Sequence, residues 1–274
     1  MRRNSLHFTG LVLFALGVGL ATSSAAEVGA WSEGDRARVR LLAGGIDADG
    51  ALQGAIEIEL APGWHTYWRS PGAVGIPPQA DFSTSSNVGD IAISYPVPSR
   101  YDDGYAISNV YEGRVVLPLT IAPGDGPVSL RLSLDIGVCE EVCIPEHFDA
   151  ALDVGMGASD AVANRVIAEA WKAIPGPAEP GVLAVEDVTR HGGTDKRPEF
   201  DVALVTPPGE PIEVFVEGPT DWYAAVPELV SEGDAPVYRV MFDRLGARTP
   251  IDGADLRVTI VTPDRAVGHK VRLD

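Results

Sequence analysis

VSLRLSLDIGVCEEVCIPEHFDAALDV, residues 128–154, holds a strand pattern, both cysteines of the chain and a second strand pattern. Apolar and polar residues alternate from Val128 to Ile136, the period of a half-buried strand. This run leads directly into Gly137-Val138-Cys139. Pro145 lacks an amide hydrogen and is expected to break the strand, and alternation resumes from Phe148 to Val154. Cys139 and Cys143 therefore sit at a strand–turn–strand junction, where two cysteines four positions apart can reach disulfide geometry. Such a bridge closes very little chain, so stabilisation alone is a weak reason for it.

Three readings of the pair stay open on the residues. Glu140, Glu141 and Glu146 surround the thiols with negative charge, with only His147 and the more distant Arg114 as counterweights. Negative surroundings disfavour thiolate, raise the thiol pKa and push the couple towards reducing character. A metal reading would use Cys139-x3-Cys143-x3-His147 as soft ligands for Cu(I) or Zn(II). It lacks a fourth ligand, and the spacing aligns the three side chains only on a helix, which Pro145 opposes. The remaining reading is a fixed structural bridge in an exported protein.

Working outward, strand-length alternation recurs at Arg36 to Leu42, Gly54 to Leu60 and Val115 to Ile121, separated by Gly-, Pro- and Asp-rich turns. Many short strands at this spacing predict a β-sandwich rather than alternating β–α units. The segment from Ser70 to Ser108 reads as a long loop interrupted only by Ile91 to Tyr95, and such loops often bind or cover a site. Helical spacing of Val162, Val166, Ile167, Ala170, Trp171 and Ile174 predicts one helix, capped by Ser159. Pro175 to Gly181 then reads as a semi-rigid linker. Strand patterning returns at 182–188, 200–205, 212–217, 237–242, 256–261 and 267–273.

The expected fold is all-β: two β-sandwiches, which a resemblance to a known family makes immunoglobulin-like, joined by a helix and a Pro/Gly-rich linker. The expected boundaries are a signal peptide at 1–26, a first sandwich carrying both cysteines at 27–157, helix and linker at 158–181, and a smaller sandwich at 182–274. The signal peptide rests on Met1-Arg2-Arg3, an apolar run from Leu11 to Ala21, and small residues at Ser24-Ala25-Ala26. The run is too short to span a bilayer, so the mature chain is expected in the periplasm without membrane insertion. The formal net charge is −18, from 21 basic and 39 acidic residues, which argues against a nucleic-acid partner.

Several stretches, taken in order, resemble a known family. They are Gly63-Trp64-His65-Thr66-Tyr67-Trp68-Arg69-Ser70-Pro71-Gly72, then Gly75-Ile76-Pro77-Pro78, then Tyr111-Glu112-Gly113 with Leu117-Pro118-Leu119-Thr120, and the cysteine turn. The set is similar to the N-terminal periplasmic domain of the thiol:disulfide interchange protein DsbD, and more closely to its ScsB-like relatives. The resemblance covers Arg36 to Pro175 well and is weaker beyond, although ScsB-like proteins carry a second immunoglobulin-like module. It implies that Cys139 and Cys143 are a redox pair, with Cys143 attacking a partner disulfide and Cys139 resolving it. It places Trp64, Tyr67 and Trp68 as the aromatic segment beside the pair. It makes 100–105 a cap loop, with Asp102-Asp103-Gly104 as its turn and Tyr101 or Tyr105 as the lid ring.

The family's exchange chemistry needs no cofactor or metal. Its partners would be periplasmic thioredoxin-fold proteins. Two departures stand out. The DsbD domain has a wider cysteine spacing, and this sequence ends at Asp274 with no membrane domain, so the electron donor is expected to be a separately encoded membrane thiol-reductant transporter. The rivals are a non-catalytic adaptor or chaperone-like module with a structural disulfide, and a copper-handling protein.

Overall fold

The computed structural model describes residues 27–155, 160–233 and 235–274. The expected signal peptide and the expected helix cap, Ser159, lie outside the described residues. The first half contains β1 (Ser32–Glu33), β2 (Ala37–Ile46), β3 (Leu52–Leu60), β4 (His65–Gly72), β5 (Gln79–Asp81) and β6 (Val88–Ile93). It continues with β7 (Ser99–Asp102), β8 (Ile107–Glu112), β9 (Arg114–Pro123), β10 (Val128–Cys139) and β11 (Cys143–Val154). One sheet has the order β1-β2-β3-β9-β6, and the other β11-β10-β4-β8-β7 with β5 beside β10.

Alternation explains how the two sheets close. Val39, Leu41, Ile56, Ile58, Leu117 and Leu119 of the first sheet meet Leu130, Leu132, Leu134, Ile136 and Val138 of β10 in one core. Each fully buried aliphatic side chain of this kind contributes roughly 2 kcal/mol. The expectation that Pro145 breaks the strand is corrected. Pro145 lies within β11, opposite Gly137. Because β11 pairs only with β10, one side of its backbone needs no ladder partner, and proline is tolerated on such an edge. The expected long loop at 70–108 is also corrected, since it carries the short strands β5 and β7 besides β6, which overlaps the interruption expected at Ile91 to Tyr95.

The helix α1 (Ala161–Lys172) is capped by Asp160, whose carboxylate accepts from Val162 N at 2.7 Å and Ala163 N at 2.8 Å. Its buried residues Ala163, Ile167 and Ala170 pack on Leu42, Ala55 and Val116, the outer face of the first sheet. Val162, expected on the apolar face, is instead 64% exposed. The stretch expected as a semi-rigid linker is partly a strand: β12 (Gly176–Pro177) pairs in parallel with Val267 and Gly268.

The second half contains β13 (Ala184–Thr194), β14 (Arg197–Val205), β15 (Glu213–Glu217), β16 (Tyr223–Ala224) and β17 (Glu228–Ser231). It ends with β18 (Val237–Asp243), β19 (Asp255–Val261) and β20 (Ala266–Arg272). Sheets β12-β20-β19-β15 and β13-β14-β18-β16 enclose a separate core around Phe200, Val202, Val240, Phe242, Leu256 and Val258. Among the described residues the fold is therefore all-β apart from one short helix, in the immunoglobulin-like manner expected.

The two halves meet through the sheet that carries the cysteines. Phe215 of β15 enters the first core, edge-on to Trp68 at 5.6 Å between ring centroids. Arg69 of β4 donates two hydrogen bonds to Glu217, at 2.6 and 2.8 Å. Arg100 of β7 bonds Glu213 at 2.9 Å and the Val214 carbonyl at 2.6 Å, with its guanidinium 4.4 Å from the Phe215 ring centre. Removing one member of a buried, bidentate pair leaves the other charge uncompensated. Glu217→Ala is therefore expected to cost about 3 kcal/mol and to split urea unfolding into two transitions, read by circular dichroism. Glu217→Gln, which keeps the shape, should cost less.

Candidate functional site

The β10–β11 register runs unbroken from Val128 opposite Val154 to Cys139 opposite Cys143. Leucines and Val138 point inward along β10, so by period-2 parity Asp135, Gly137 and Cys139 point outward. The two cysteines are joined by a disulfide across a three-residue turn, Glu140-Glu141-Val142. Their exposures differ: Cys139 is 1% exposed, whereas Cys143 is solvent-exposed. The ladder continues sideways, Cys139 opposing His65 of β4 and His65 opposing Glu112 of β8. Cys143, Cys139, His65 and Glu112 thus form one row across four strands on a single face.

Tyr67 stands two residues beyond His65, on that same face. Its hydroxyl lies 3.1 Å from Cys143 Sγ and 3.2 Å from Cys139 Sγ. Disulfide sulfurs carry no hydrogen, so the tyrosine is the donor. Burial, with Asp103 and Tyr101 adding to it, raises the Tyr67 pKa, so the phenol keeps its proton through the neutral range. Gly75 and Ile76 lie over this arrangement. A Cβ on Gly75 would come within 2.5 Å of the Tyr67 ring, and one on Gly137 within 2.9 Å of Ile76.

The expected cap is the β7–β8 hairpin. Asp102 accepts from Gly104 N, and Asp103 accepts from Tyr105 N and Ala106 N, each at 2.8 Å. These amides hold the Asp103 carboxyl below the usual carboxylate range. Of the two candidate lid rings it is Tyr101 that covers the site. It packs on the cluster of Tyr67, Val110 and Cys139, and its ring centre is 4.3 Å from that of His65. Tyr105 is 97% exposed and covers nothing, which corrects that half of the expectation.

Other expected neighbours are dispersed. Trp68 faces the core, and Trp64 packs against the core under Arg36, 4.9 Å away. Glu140 and Glu141 are exposed in the turn beside the disulfide. Glu146 opposes inward-facing Ile136 and lies against Gly34 and Arg36, away from the sulfurs. Arg114 is held by Glu57 at 2.5 Å and offsets nothing at the cysteines. His147 is further down the hairpin, bonded to Asp135 at 2.8 Å, with Asp149 at 3.4 Å. Among the described residues no three His, Cys, Asp or Glu side chains gather as a metal site.

His65 is the residue that sequence reasoning left without a role. It is 3% exposed, and its Nδ1 is buried without a hydrogen-bond partner. Burial lowers its pKa, against the opposing pull of Glu112 and Asp103, so it is neutral at neutral pH. Strand parity could have found it, since His65 and Tyr67 share a face that Trp64 and Trp68 do not.

The fold and site define an immunoglobulin-like module with a half-exposed disulfide at a hairpin tip. Residues 38–153 match the family model described as "Thiol:disulfide interchange protein DsbD, N-terminal". Among solved structures the chain is similar to the N-terminal periplasmic domain of ScsB from Proteus mirabilis. The identity is 23%, the TM-score 0.70, and the match covers 90% of this chain and 98% of that one, so the shared fold includes the second sandwich. No curated protein matches the chain. The family match and the cysteine pair support a role in thiol–disulfide interchange. No helix among the described residues is long and apolar enough to cross a membrane.

Two measurements check this geometry. Gly75 and Gly104 both have left-handed backbones, with φ of +117° and +83°, but only Gly75 faces an obstacle. Gly104→Ala is expected to cost about 1 kcal/mol, the ordinary left-handed penalty. Gly75→Ala should cost distinctly more and loosen the Tyr67 hydroxyl from the sulfurs, which thermal melting and tyrosine spectroscopy would report. The two histidines should titrate oppositely by NMR. His147 is raised by its bond to Asp135, so its contribution to stability is full below pH 6.5 and fades as pH rises through its folded pKa. His65 is lowered by burial, so its contribution is full above 6.5 and is lost as pH falls towards its folded pKa.

Proposed function

We propose that this chain relays reducing equivalents through Cys139 and Cys143 to thioredoxin-fold proteins of the periplasm. In this reading it is recharged by a separately encoded membrane thiol-reductant transporter. The observation that carries the proposal is the unequal exposure of the two sulfurs beneath one donated hydroxyl: Cys143 is open to a partner, and Cys139 is shielded. In the reduced chain the Cys143 thiolate attacks one sulfur of the partner's disulfide. A Cys143–partner bond forms, and the partner's second sulfur leaves as a thiolate that takes a proton. Cys139 then attacks Cys143 Sγ, closing the disulfide seen here and releasing the first partner sulfur. Two electrons and two protons pass to the partner, and no cofactor is needed.

Tyr67 serves this chemistry as a neutral donor, since a thiolate accepts a hydrogen bond better than a disulfide sulfur does. The surroundings set the direction. Glu140 and Glu141 lie in the turn between the cysteines, Asp102 and Asp103 in the cap turn, and Glu112 beyond His65, and none has an ion-pair partner among the described residues. This field disfavours thiolate and supports a reducing couple. It also favours a partner whose own cysteines lie within a cationic rim, and encounter with such a partner is salt-dependent. Val142, 63% exposed at the turn, offers the apolar centre of that contact.

Equilibration in glutathione buffers, followed by alkylation of free thiols, tests the relay. Exchange in the folded state supports it. A disulfide that opens only on unfolding would reduce the pair to a structural staple. A Cys139→Ser variant, which leaves Cys143 alone, should accumulate a mixed disulfide with a purified thioredoxin-fold substrate. The rate of that capture should fall severalfold between low and physiological salt. Tyr67→Phe should shift the glutathione equilibrium about fivefold towards the disulfide, one hydrogen bond's worth.

A further inference from the structure

We propose that His65 is the proton acceptor for Cys139 in the resolving step, an inference that rests on the exchange reading above. The first support is position. His65 directly opposes Cys139 on the same face of the β4–β10 ladder, where side chains stand about 5 Å apart at Cβ. The second is its unmet hydrogen-bonding capacity. Nδ1 is buried and has no partner in the disulfide state. Leaving a buried polar atom unpaired is costly, and native proteins rarely do so without a reason. Here the reason lies in the oxidation state. Neither sulfur of the disulfide carries a hydrogen, whereas reduction gives Cys139 a thiol proton beside the imidazole.

The alternatives facing the same spot are poorer acceptors. Tyr67 keeps its proton and already donates to the sulfurs. Asp103 spends its carboxylate on the amides of Tyr105 and Ala106, and its low pKa makes it a weak base. Glu112 opposes His65 on the side away from Cys139. Tyr101 covers the imidazole ring at 4.3 Å and keeps water from it. The charged and titratable groups around His65 are thus Glu112 from β8, Asp103 from the cap turn, Tyr101 from β7, Tyr67 from β4 and Cys139 from β10. Both carboxylates favour the imidazolium that the transfer creates.

With Cys143 bound to a partner sulfur, His65 takes the Cys139 S–H proton while Cys139 Sγ attacks Cys143 Sγ. The Cys139–Cys143 bond forms, the Cys143–partner bond breaks, and the electron pair leaves on the partner sulfur as a thiolate, which water protonates. The imidazolium then returns its proton to solvent. His65 takes no part in the first attack, because Cys143 is the exposed thiol.

A nitrobenzoate aryl disulfide, added in excess to the fully reduced chain, resolves the two steps. The first coloured thiolate released reports attack by Cys143, and the second reports resolution by Cys139. In the unmodified protein the second release should rise through an inflection below pH 6.5 and then level off. His65→Gln should slow the second release at pH 7 on the order of 100-fold and move its rise to the thiol's own range, leaving the first release unchanged. His65→Asn should behave alike, and a melting curve shows that either variant is folded. A second release in the unmodified protein with no inflection below pH 7 overturns the proposal without recourse to any variant. So does a folded variant that resolves at the original rate, or one that slows both releases equally. If the unmodified chain releases no coloured thiolate at all, the exchange reading itself falls. If both releases occur and only the His65 dependence is missing, that reading stands and the proton acceptor lies elsewhere.

Discussion

The register of the β10–β11 hairpin is the constraint on which the site depends. Leu130, Leu132, Leu134, Ile136 and Val138 are held inside by the core, and this fixes the parity of every other β10 residue. Cys139 faces outward for that reason alone. A slip of one residue would turn five large apolar side chains into water, at roughly 2 kcal/mol each, and would bury the cysteine in the core. Twelve consecutive opposed pairs, ending in Cys139 and Cys143, carry the register from the middle of the sandwich to its tip. The disulfide therefore has little work to do as a staple. The hairpin that bears it is already determined, and the bridge closes a turn that the strands have formed.

The second constraint is the junction between the sandwiches. Arg100 is anchored to β15 through Glu213 and the Val214 carbonyl, and the next residue, Tyr101, is the ring that covers His65. Arg69, two residues beyond Tyr67 on the same strand, is held by Glu217. The second sandwich thus grips both strands that place aromatic rings over the sulfurs. Its contribution to the site is to hold the cap strand and β4 in fixed relation. A cap tied at its base and open at its exposed turn, where Tyr105 projects freely, shields the inner sulfur and leaves the outer one accessible.

Strand patterning was the most legible part of the sequence, because alternation reports directly on one buried face. The two sandwiches, the helix and the strand–turn–strand setting of the cysteines follow from it. Pro145 misled because a proline's cost depends on whether its strand has a neighbour on that side, and neighbours are a tertiary property. Strands β5 and β7 inside 70–108 were hidden by their length, three and four residues among prolines and glycines. At the site, motif proximity grouped Trp64, Tyr67 and Trp68, although parity separates Tyr67 from the two tryptophans. His65 stands in the same stretch, but nothing local marks which histidine will lack a hydrogen bond. The covering of Tyr67 by Gly75 and Ile76 is likewise a long-range contact, visible only once the loop is folded back.

The electrostatics of the site make a proton acceptor more consequential than it would be elsewhere. A thiolate at Cys139 would be desolvated, because the sulfur is shielded, and repelled, because the nearest unpaired charges are carboxylates. The positive side chains that might have offset them are engaged elsewhere: Arg114 by Glu57, Arg100 by Glu213, and His147 by Asp135. Attack by Cys139 from its thiol form requires the proton to leave as the sulfur–sulfur bond forms. Solvent hydroxide is scarce and is kept out by Tyr101, Tyr67 and Ile76. A neutral imidazole within the same dry row, backed by two carboxylates that stabilise it once charged, meets that requirement without lowering the thiol pKa in advance. In the relay proposed above, such a couple stays reducing at rest and still resolves a mixed disulfide quickly, two properties that a permanently activated thiolate would set against each other.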